Sequence, residues 1–381
     1  MHTIAAAIPS SRSHPPVSKR GIWLIGPFYD LAFITLSAAL AVTPHISHAL
    51  AGYDTVFVDL LVTMMIGGPH LFATYTMTVM EPDFRARYPR YSKGALLLPV
   101  VIVSLAIWNL TLLVTIFFFW ASVHVIHQAA FVADSYRMKS PFGWSWAERA
   151  IDYGLLATSL YPIASGKLIG SQFETGGRTL LFPDFLRIEW LPYLVWAAFL
   201  TFLALFAAKT AWEWKNGRLH GPKTLHLVIA AGLFAWTPTL DNLDVAFQGL
   251  NVWHSFQYLA IVLYLNRLRE EKGFIGSNVV KKVSSRGWKL YGLCLGFTVG
   301  AGVLFLAVLA AVVRLGAFRT GHEMGSLLHG AIMSDQHYFA FYSVVLSFLL
   351  IHYYFDHFLF LGLDEKITPG FEPLGARAEV A

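Results

Sequence analysis

The stretch Ala95–Ala133, ALLLPVVIVSLAIWNLTLLVTIFFFWASVHVIHQAAFVA, contains no lysine, arginine, aspartate or glutamate in 39 consecutive residues. A helix that crosses a bilayer needs about 20 apolar residues, because the hydrocarbon core is about 30 Å thick. One straight helix of this length would extend about 58 Å at a rise of about 1.5 Å per residue. We therefore expect two membrane-spanning helices here, divided near Asn109–Leu113.

The remainder of the chain has the same apolar character. Of its 381 residues, 56% are hydrophobic and only 13% are charged, whereas soluble domains carry about 25% charged residues. This composition predicts an all-α fold, a polytopic transmembrane helical bundle. We expect about ten spans, at residues 21–43, 55–80, 95–112, 114–135, 149–166, 190–209, 224–240, 245–266, 290–313 and 337–362.

These spans leave no room for a soluble domain. We expect residues 1–20 to form a disordered cytosolic tail, residues 21–363 a single transmembrane helical domain, and residues 364–381 a second cytosolic tail. The first tail is polar and lacks the short apolar core of a cleavable signal peptide.

The lysines and arginines predict the orientation of the bundle. With ten spans and both termini in the cytosol, 23 of the 28 basic residues fall on the cytosolic side, in agreement with the positive-inside rule. We therefore expect a multi-pass protein of the cell inner membrane, surrounded by the lipid bilayer. The basic residues alternate with apolar spans instead of forming one patch, so we expect no nucleic-acid partner.

Five histidines lie at a similar depth in the predicted spans. Each lies 10 to 13 residues before a charged residue that marks the cytosolic end of its span, namely Glu81, Arg137, Arg267 or Asp364, which is about 15–20 Å of helical rise. Polar side chains in hydrocarbon need partners, and four helices that place imidazoles at one depth indicate a shared metal ion. The five are His70, His124, His127, His254 and His352.

Local spacing adds a carboxylate to this set. In LLIHYYFDHFLF, His352 and Asp356 are four residues apart and share a helix face, as do His124 and His127 at a spacing of three. Asp356 is predicted to be a further ligand or to orient His352. Metal-bound histidines normally donate their second N–H to a neighbouring acceptor, and a supporting role of this kind is predicted for Gln128, Gln257 and His357.

The residue types favour iron, as one or two ions. Imidazole binds Zn, Cu, Fe and Ni, and an added carboxylate favours iron over copper(I). The alternatives are a haem b protein for electron transfer, with histidine pairs as axial ligands, and a transporter with a histidine relay. The single cysteine, Cys294, excludes a disulfide or a thiolate metal cluster within one chain.

The stretch TPTLDNLDVAF, Thr237–Phe247, places two acidic residues before the eighth predicted span. We interpret Asp241 as the N-cap of that helix, with Asp244 near the positive end of the helix dipole. Asp244 lies ten residues before His254, about 15 Å by helical rise, so we expect no metal shared between them.

The pattern resembles that of histidine-rich integral-membrane oxygenases, namely the fatty-acid hydroxylases and desaturases and the Brp/Blh carotene dioxygenases. The residues that carry the resemblance are His70, HVIHQ (His124 and His127), His254 and HYYFD (His352 and Asp356). The resemblance implies non-haem iron and a lipophilic substrate. The sequence has neither HxxxH nor HxxHH, so the number of irons remains open, as does the choice between hydroxylation, desaturation and oxidative cleavage.

The cytosolic connection Met80–Lys93 carries four basic residues and three aromatic residues. We interpret it as an anchor at the lipid interface. The alternative is a docking surface for an electron-donor protein on the cytosolic side.

Reporter fusions test the predicted topology. Fusions at Lys139 and at Ala381 should both report the cytosol, because the positive-inside bias depends on ten spans. A periplasmic signal at Ala381 together with a cytosolic signal at Lys19 would require an odd number of spans.

Overall fold

The computed structural model describes residues 22–320 and 335–369. About 80% of the structure is helical, so the prediction of an all-α fold is confirmed. In the described part of the chain, the strands are β1 (Glu174–Thr175) and β2 (Arg178–Thr179), which pair antiparallel with Glu174 opposite Thr179. This small hairpin closes one end of the bundle.

The first half of the chain forms two helices with irregular turns and one long broken helix. The segments are α1 (Pro27–Ala49), α2 (Thr55–Thr76), α3 (Pro82–Arg87), α4 (Pro89–Lys139), α5 (Trp146–Ser159) and α6 (Tyr161–Ile169). The second half contains α7 (Leu191–Lys215), α8 (Gly221–Trp236), α9 (Leu243–Glu271), α10 (Asn278–Ser284), α11 (Gly287–Thr320) and α12 (Asp335–Phe360).

Among the described residues, six helices are long and apolar enough to cross a membrane: Pro27–Ala49, Thr55–Thr76, Pro89–Lys139, Leu191–Lys215, Gly287–Arg314 and Tyr338–Phe360. These helices indicate a membrane protein. The count of ten spans and the cytosolic position of the termini remain predictions. The tails at residues 1–20 and 370–381 lie outside the described residues.

The long helix α4 turns back on itself at Asn109, which has the non-helical dihedral angles φ −157° and ψ 91°. The Tyr91 hydroxyl lies 2.8 Å from Nε2 of His357, and the His124 ring stacks on Tyr353 with centroids 3.8 Å apart. In one straight helix, residues 91 and 124 would be about 50 Å apart. Because both contact the same two turns of α12, the chain reverses direction at Asn109, within the stretch where the sequence predicted the division.

The asparagine side chain explains how the reversal is stabilised. Oδ1 of Asn109 accepts the backbone N–H of Leu112 at 2.9 Å, which satisfies one of the free donors at the start of the second helical segment. Asparagine is among the residues best suited to this capping position.

Irregular helical turns also determine where His70 lies. A π-helical turn at Thr63–Gly67 immediately precedes Gly68, Pro69 and His70 on α2. A Cβ atom at Gly68 would collide with Thr298 of α11, so the glycine permits close packing of the two helices. The π turn shifts the register of α2 just before the histidine, as such turns often do at functional sites.

A buried ionic network joins α4, α5, α7 and α8 at one end of the bundle. Arg137 pairs with Asp152 at 2.6 Å, and Lys209 and Lys223 also pair with this carboxylate. The loop residue His220 lies beside this network and caps α8, because its Nδ1 accepts the backbone N–H of Lys223 at 3.2 Å. Burial, together with the positive charge of Lys223, lowers the pKa of His220 from 6.5 to about 4.

This histidine should make the stability of the fold depend on pH. A group whose folded-state pKa is lowered contributes stability that is present above pH 6.5 and is lost as the pH falls towards 4. We expect a loss of about 2–3 kcal/mol across that window. Thermal unfolding in detergent at pH 7 and pH 4.5 should show a smaller loss for His220→Asn, which retains a capping acceptor without a titrating ring. An equal loss in both proteins would contradict this assignment.

Candidate metal centre

Four imidazoles and one carboxylate meet in the interior of the bundle. His70 comes from α2, His124 from α4, His254 from α9, and His352 and Asp356 from α12. Neighbouring rings have centroids 4.8 to 5.3 Å apart. All five side chains are buried, with at most 6% of their surface exposed. The structure therefore brings together the predicted ligands from all four helices.

Each of these five side chains has a buried polar atom without a hydrogen-bond partner. The atoms are Nε2 of His70, Nε2 of His124, Nδ1 of His254, Nε2 of His352 and Oδ2 of Asp356. They fall into two overlapping groups, His70–His254–His352 and His124–His352–Asp356, in each of which the ligand atoms lie within 4.8 Å of one another. An unsatisfied buried polar atom is costly, and five in one place form a donor set suited to a cation.

Two of the imidazoles are oriented through their other nitrogen. Nδ1 of His70 lies 2.8 Å from Oγ of Ser255, and Nδ1 of His352 lies 2.6 Å from Oγ1 of Thr74. A hydroxyl that accepts the N–H of Nδ1 leaves Nε2 as the lone-pair nitrogen, which is the form that binds a metal.

Asp356 is held by one of its two oxygens. Oδ1 accepts hydrogen bonds from Tyr258 at 2.5 Å and from Thr74 at 2.9 Å. Oδ2 then faces the imidazoles, at 3.2 Å from Nε2 of His352 and 3.7 Å from Nε2 of His124. This arrangement suits a monodentate carboxylate ligand.

Sequence reasoning did not identify the three hydroxyl residues that orient the ligands. Thr74 lies four residues after His70, and Tyr258 lies four residues after His254, so each is on the same helix face as a candidate histidine. Ser255 directly follows His254. The helical spacing was therefore a usable signal for Thr74 and Tyr258, although hydroxyls within apolar helices most often bond to their own backbone.

One predicted ligand lies outside both groups. His127 is only half-buried, and its ring contacts Phe360 with centroids 5.3 Å apart. The three-residue spacing from His124 turns its side chain about 60° around the helix axis. The geometry therefore supports His124 as a ligand and does not support His127.

The three residues predicted to support the ligands form hydrogen bonds with groups other than the ligand imidazoles. Nε2 of Gln128 donates to the backbone carbonyl of His254 and to Oε1 of Gln257, and Gln257 donates to the carbonyl of Ile34. These amides join α4, α9 and α1 through the backbone and do not touch an imidazole nitrogen. His357 contacts the Tyr91 hydroxyl, on a different face of α12 from Asp356. The structure therefore shows these three side chains bonded to other groups, and their supporting roles remain predictions.

Two cavities adjoin this part of the bundle. One of about 40 Å³ is lined by His70 together with polar residues of α2 and α9. The other, of about 100 Å³, is lined almost wholly by apolar side chains such as Leu160, Phe173 and Ala246. Phe118 and Phe247 line both cavities. The histidine cluster therefore has a small polar space beside it and an apolar space beyond two aromatic rings.

The comparisons with known proteins identify no relatives of this chain. No protein-family model, curated protein or solved structure matches it. Functional inference therefore rests on the geometry of the site within a helical membrane protein.

His124 and His127 form a matched pair, three residues apart on one helix, that tests the ligand assignment. His124→Ala should strongly reduce the metal bound per protein, because it removes a ligand and leaves other buried polar atoms unpaired. His127→Ala should retain the metal content of the parent protein. Elemental analysis after purification measures both, and equal losses from the two substitutions would contradict the assignment.

Proposed function

We propose that this protein is a membrane-embedded metalloenzyme, an iron-dependent oxygenase that acts on a lipophilic substrate. The observation that carries the proposal is the set of five buried, unpartnered ligand atoms contributed by His70, His124, His254, His352 and Asp356. In a low-dielectric interior, a cation would stabilise such atoms together, because each of them is buried without a hydrogen-bond partner.

The geometry favours one metal ion. The two ligand groups share His352, and the ligand atoms within each group lie no more than 4.8 Å apart. A metal–imidazole bond is about 2.1 Å long, so two ligands across one ion are separated by at most about 4.2 Å. Contraction by about 0.6 Å would bring the three ligand atoms of either group to bonding distance of one ion.

The donor set suits iron. Several neutral imidazoles with one carboxylate provide the nitrogen and oxygen ligands of non-haem iron oxygenases, and they lack the thiolates that favour copper(I). Iron in such a site would supply the activation of dioxygen. The protein's own contribution is to fix the ligand geometry through Thr74, Ser255 and Tyr258 and to exclude bulk water from the site.

The surroundings of the site support a lipophilic substrate. The apolar cavity beyond Phe118 and Phe247 offers almost no polar surface for a headgroup, so it fits a hydrocarbon segment better than a polar metabolite. A substrate dissolved in the bilayer could approach between helices without crossing water.

A haem b group fits the site poorly. The four imidazole rings are only 4.8 to 5.3 Å apart, and the cavity that touches His70 measures about 40 Å³. A macrocycle between any two of these rings would require the helices to separate. The close packing therefore favours a bare metal ion over a porphyrin.

An electron donor, if the reaction requires one, would bind at the connection between α2 and α4. Arg85, Arg90 and Lys93 are exposed there, and their charge suits an acidic partner. Tyr91 of this connection stacks on Tyr354 of α12 with ring centroids 4.0 Å apart, close in sequence to Asp356. In the proposed orientation this surface faces the cytosol from the inner membrane.

The proposal is tested by metal analysis combined with oxygen uptake. Purified parent protein should contain about one iron per chain without a Soret band, and Fe(II)-loaded protein should consume dioxygen faster when long-chain hydrocarbon lipids are added. His352→Ala should lose both properties, since His352 belongs to both ligand groups.

His226→Ala is the matched control for the loss of a buried imidazole. Its Nε2 contacts the Ala129 carbonyl at 3.0 Å, outside the ligand groups. This variant should keep its iron. A parent protein that binds no metal, or equal metal in both variants, would overturn the metalloenzyme proposal.

A further inference from the structure

A row of polar side chains follows one face of α9 from the hairpin end of the bundle to the metal centre. Its members are Asp244, Gln248, Asn251, Ser255 and Tyr258, spaced by four, three, four and three residues. This spacing keeps them on one helix face. We call this row the polar stripe. Polar groups in hydrocarbon are energetically costly and usually functional, which indicates a role for the row.

The inner part of the polar stripe is a continuous hydrogen-bonded chain. Nδ1 of His70 lies 2.8 Å from Oγ of Ser255, and this hydroxyl donates to Oδ1 of Asn251 at 3.1 Å. Nδ2 of Asn251 donates in turn to Oε1 of Gln248 at 3.0 Å. A Cβ atom at Gly67 would lie 2.8 Å from Nδ2 of Asn251, so the glycine leaves space for the amide.

The outer end of the polar stripe is a pair of carboxyl groups. Asp59 of α2 and Asp244 line the same cavity, together with the Gln248 side chain. Asp244 accepts a hydrogen bond from Thr175 of β1, whose hydroxyl also lies 2.9 Å from the Tyr342 hydroxyl. Oδ1 of Asp59 is buried without a hydrogen-bond partner.

A further acidic residue lies near this pair. Asp54, the exposed N-cap of α2, adds a further negative charge near Asp59. Both carboxyl groups line one cavity, and a carboxyl group can donate a proton when protonated and accept one when ionised. The pair is therefore suited to hold and release one proton.

A cavity connects the carboxyl pair with the metal ligand. The space of about 40 Å³ is lined by Asp59, Asp244, Gln248, Asn251 and His70. Each water needs roughly 10–15 Å³ by this measure, so about three waters fit. Amide side chains hold protons too firmly to relay them, but their donors and acceptors order water molecules that can.

We propose that the Asp59–Asp244 pair, the cavity water and the polar stripe form a proton path from the hairpin end of the bundle to the His70 side of the metal centre. The inference rests on the proposed metalloenzyme for its purpose, because a reaction centre surrounded by hydrocarbon needs a route by which protons enter or leave. The path itself is defined by these side chains whether or not metal is bound.

The transfer conserves atoms and charge and involves no redox change. A proton leaves the carboxyl pair for the first cavity water, and the adjacent water passes one of its own protons onward along the ordered chain. A proton from solvent at the hairpin end then restores the pair. At the inner end, the N–H of His70 and the hydroxyl of Ser255 exchange protons with this chain.

A bound cation is the weaker interpretation of the same pair. Oδ1 of Asp244 already accepts a hydrogen bond from the Thr175 hydroxyl, so Oδ1 of Asp59 is the carboxylate oxygen left without a partner. Hard cations such as Ca²⁺ need about six to eight oxygen ligands. The few oxygen ligands at this pair therefore suit the binding of a proton better than the binding of a metal ion.

Hydrogen exchange at two ring N–H groups tests the path. His70 Nδ1 bonds to Ser255 on the polar stripe, whereas His352 Nδ1 bonds to Thr74, which leads only to Asp356 and Tyr258. In ¹⁵N-histidine-labelled, Zn²⁺-loaded protein transferred to D₂O, NMR should show the His70 N–H exchanging about tenfold or more faster than that of His352. Asp59→Asn and Asn251→Leu should each slow the exchange of His70 by about tenfold, equivalent to about 1.4 kcal/mol in barrier, and leave His352 unchanged.

Asp54→Asn is the matched control, since it removes a nearby carboxylate from the same helix while asparagine keeps the cap. This variant should leave the exchange of His70 unaltered. Exchange of His70 no faster than that of His352, or equal slowing by Asp54→Asn and Asp59→Asn, would overturn the path. If Asn251→Leu does not fold, the exchange rate of the His70 N–H in Asp59→Asn alone tests the path. A protein that binds no Zn²⁺ would contradict the metal proposal, and the same N–H groups would then be measured in the metal-free protein.

Discussion

Hydrocarbon offers no hydrogen-bond partner to an imidazole nitrogen or a carboxylate oxygen, and this constraint governs the interior of the bundle. Five such atoms, from His70, His124, His254, His352 and Asp356, face one another without partners. Each of these atoms would destabilise the fold if it were buried without a hydrogen-bond or metal partner. The helices must therefore bring them to one place, and a cation among them would convert five separate penalties into one stabilised centre.

The irregular parts of the helices serve this convergence. The π turn at Thr63–Gly67 precedes His70, and the reversal at Asn109 allows α4 to return along α12 so that His124 stacks on Tyr353. In a bundle of regular, straight helices, the polar side chains of different helices would meet at one depth only by chance. Local departures from α-helical geometry, supported by small residues such as Gly68, adjust the depth and direction of the ligands.

The polar residues near the metal centre have one of two roles. Some hold the candidate ligands in position, and others join neighbouring helices. Thr74 and Tyr258 hold Oδ1 of Asp356 and so leave Oδ2 facing the imidazoles. The side-chain amides of Gln128 and Gln257 donate hydrogen bonds to backbone carbonyls of other helices and therefore hold the bundle together. Ser255 contacts Nδ1 of His70, and its hydroxyl donates to the Asn251 side chain of the same helix.

The sequence by itself determined the helical class and the position of the break near Asn109, because apolar length and helical rise are local properties that can be counted along the chain. It also placed Asp356 on the same face as His352. Only the tertiary structure decided which polar side chains meet. His127, Gln128, Gln257 and His357 lie near ligands in sequence but point elsewhere, whereas Thr74 and Ser255 reach ligands through packing between helices. The rotation of each helix about its axis depends on all its neighbours at once, so no single segment of the sequence specifies it.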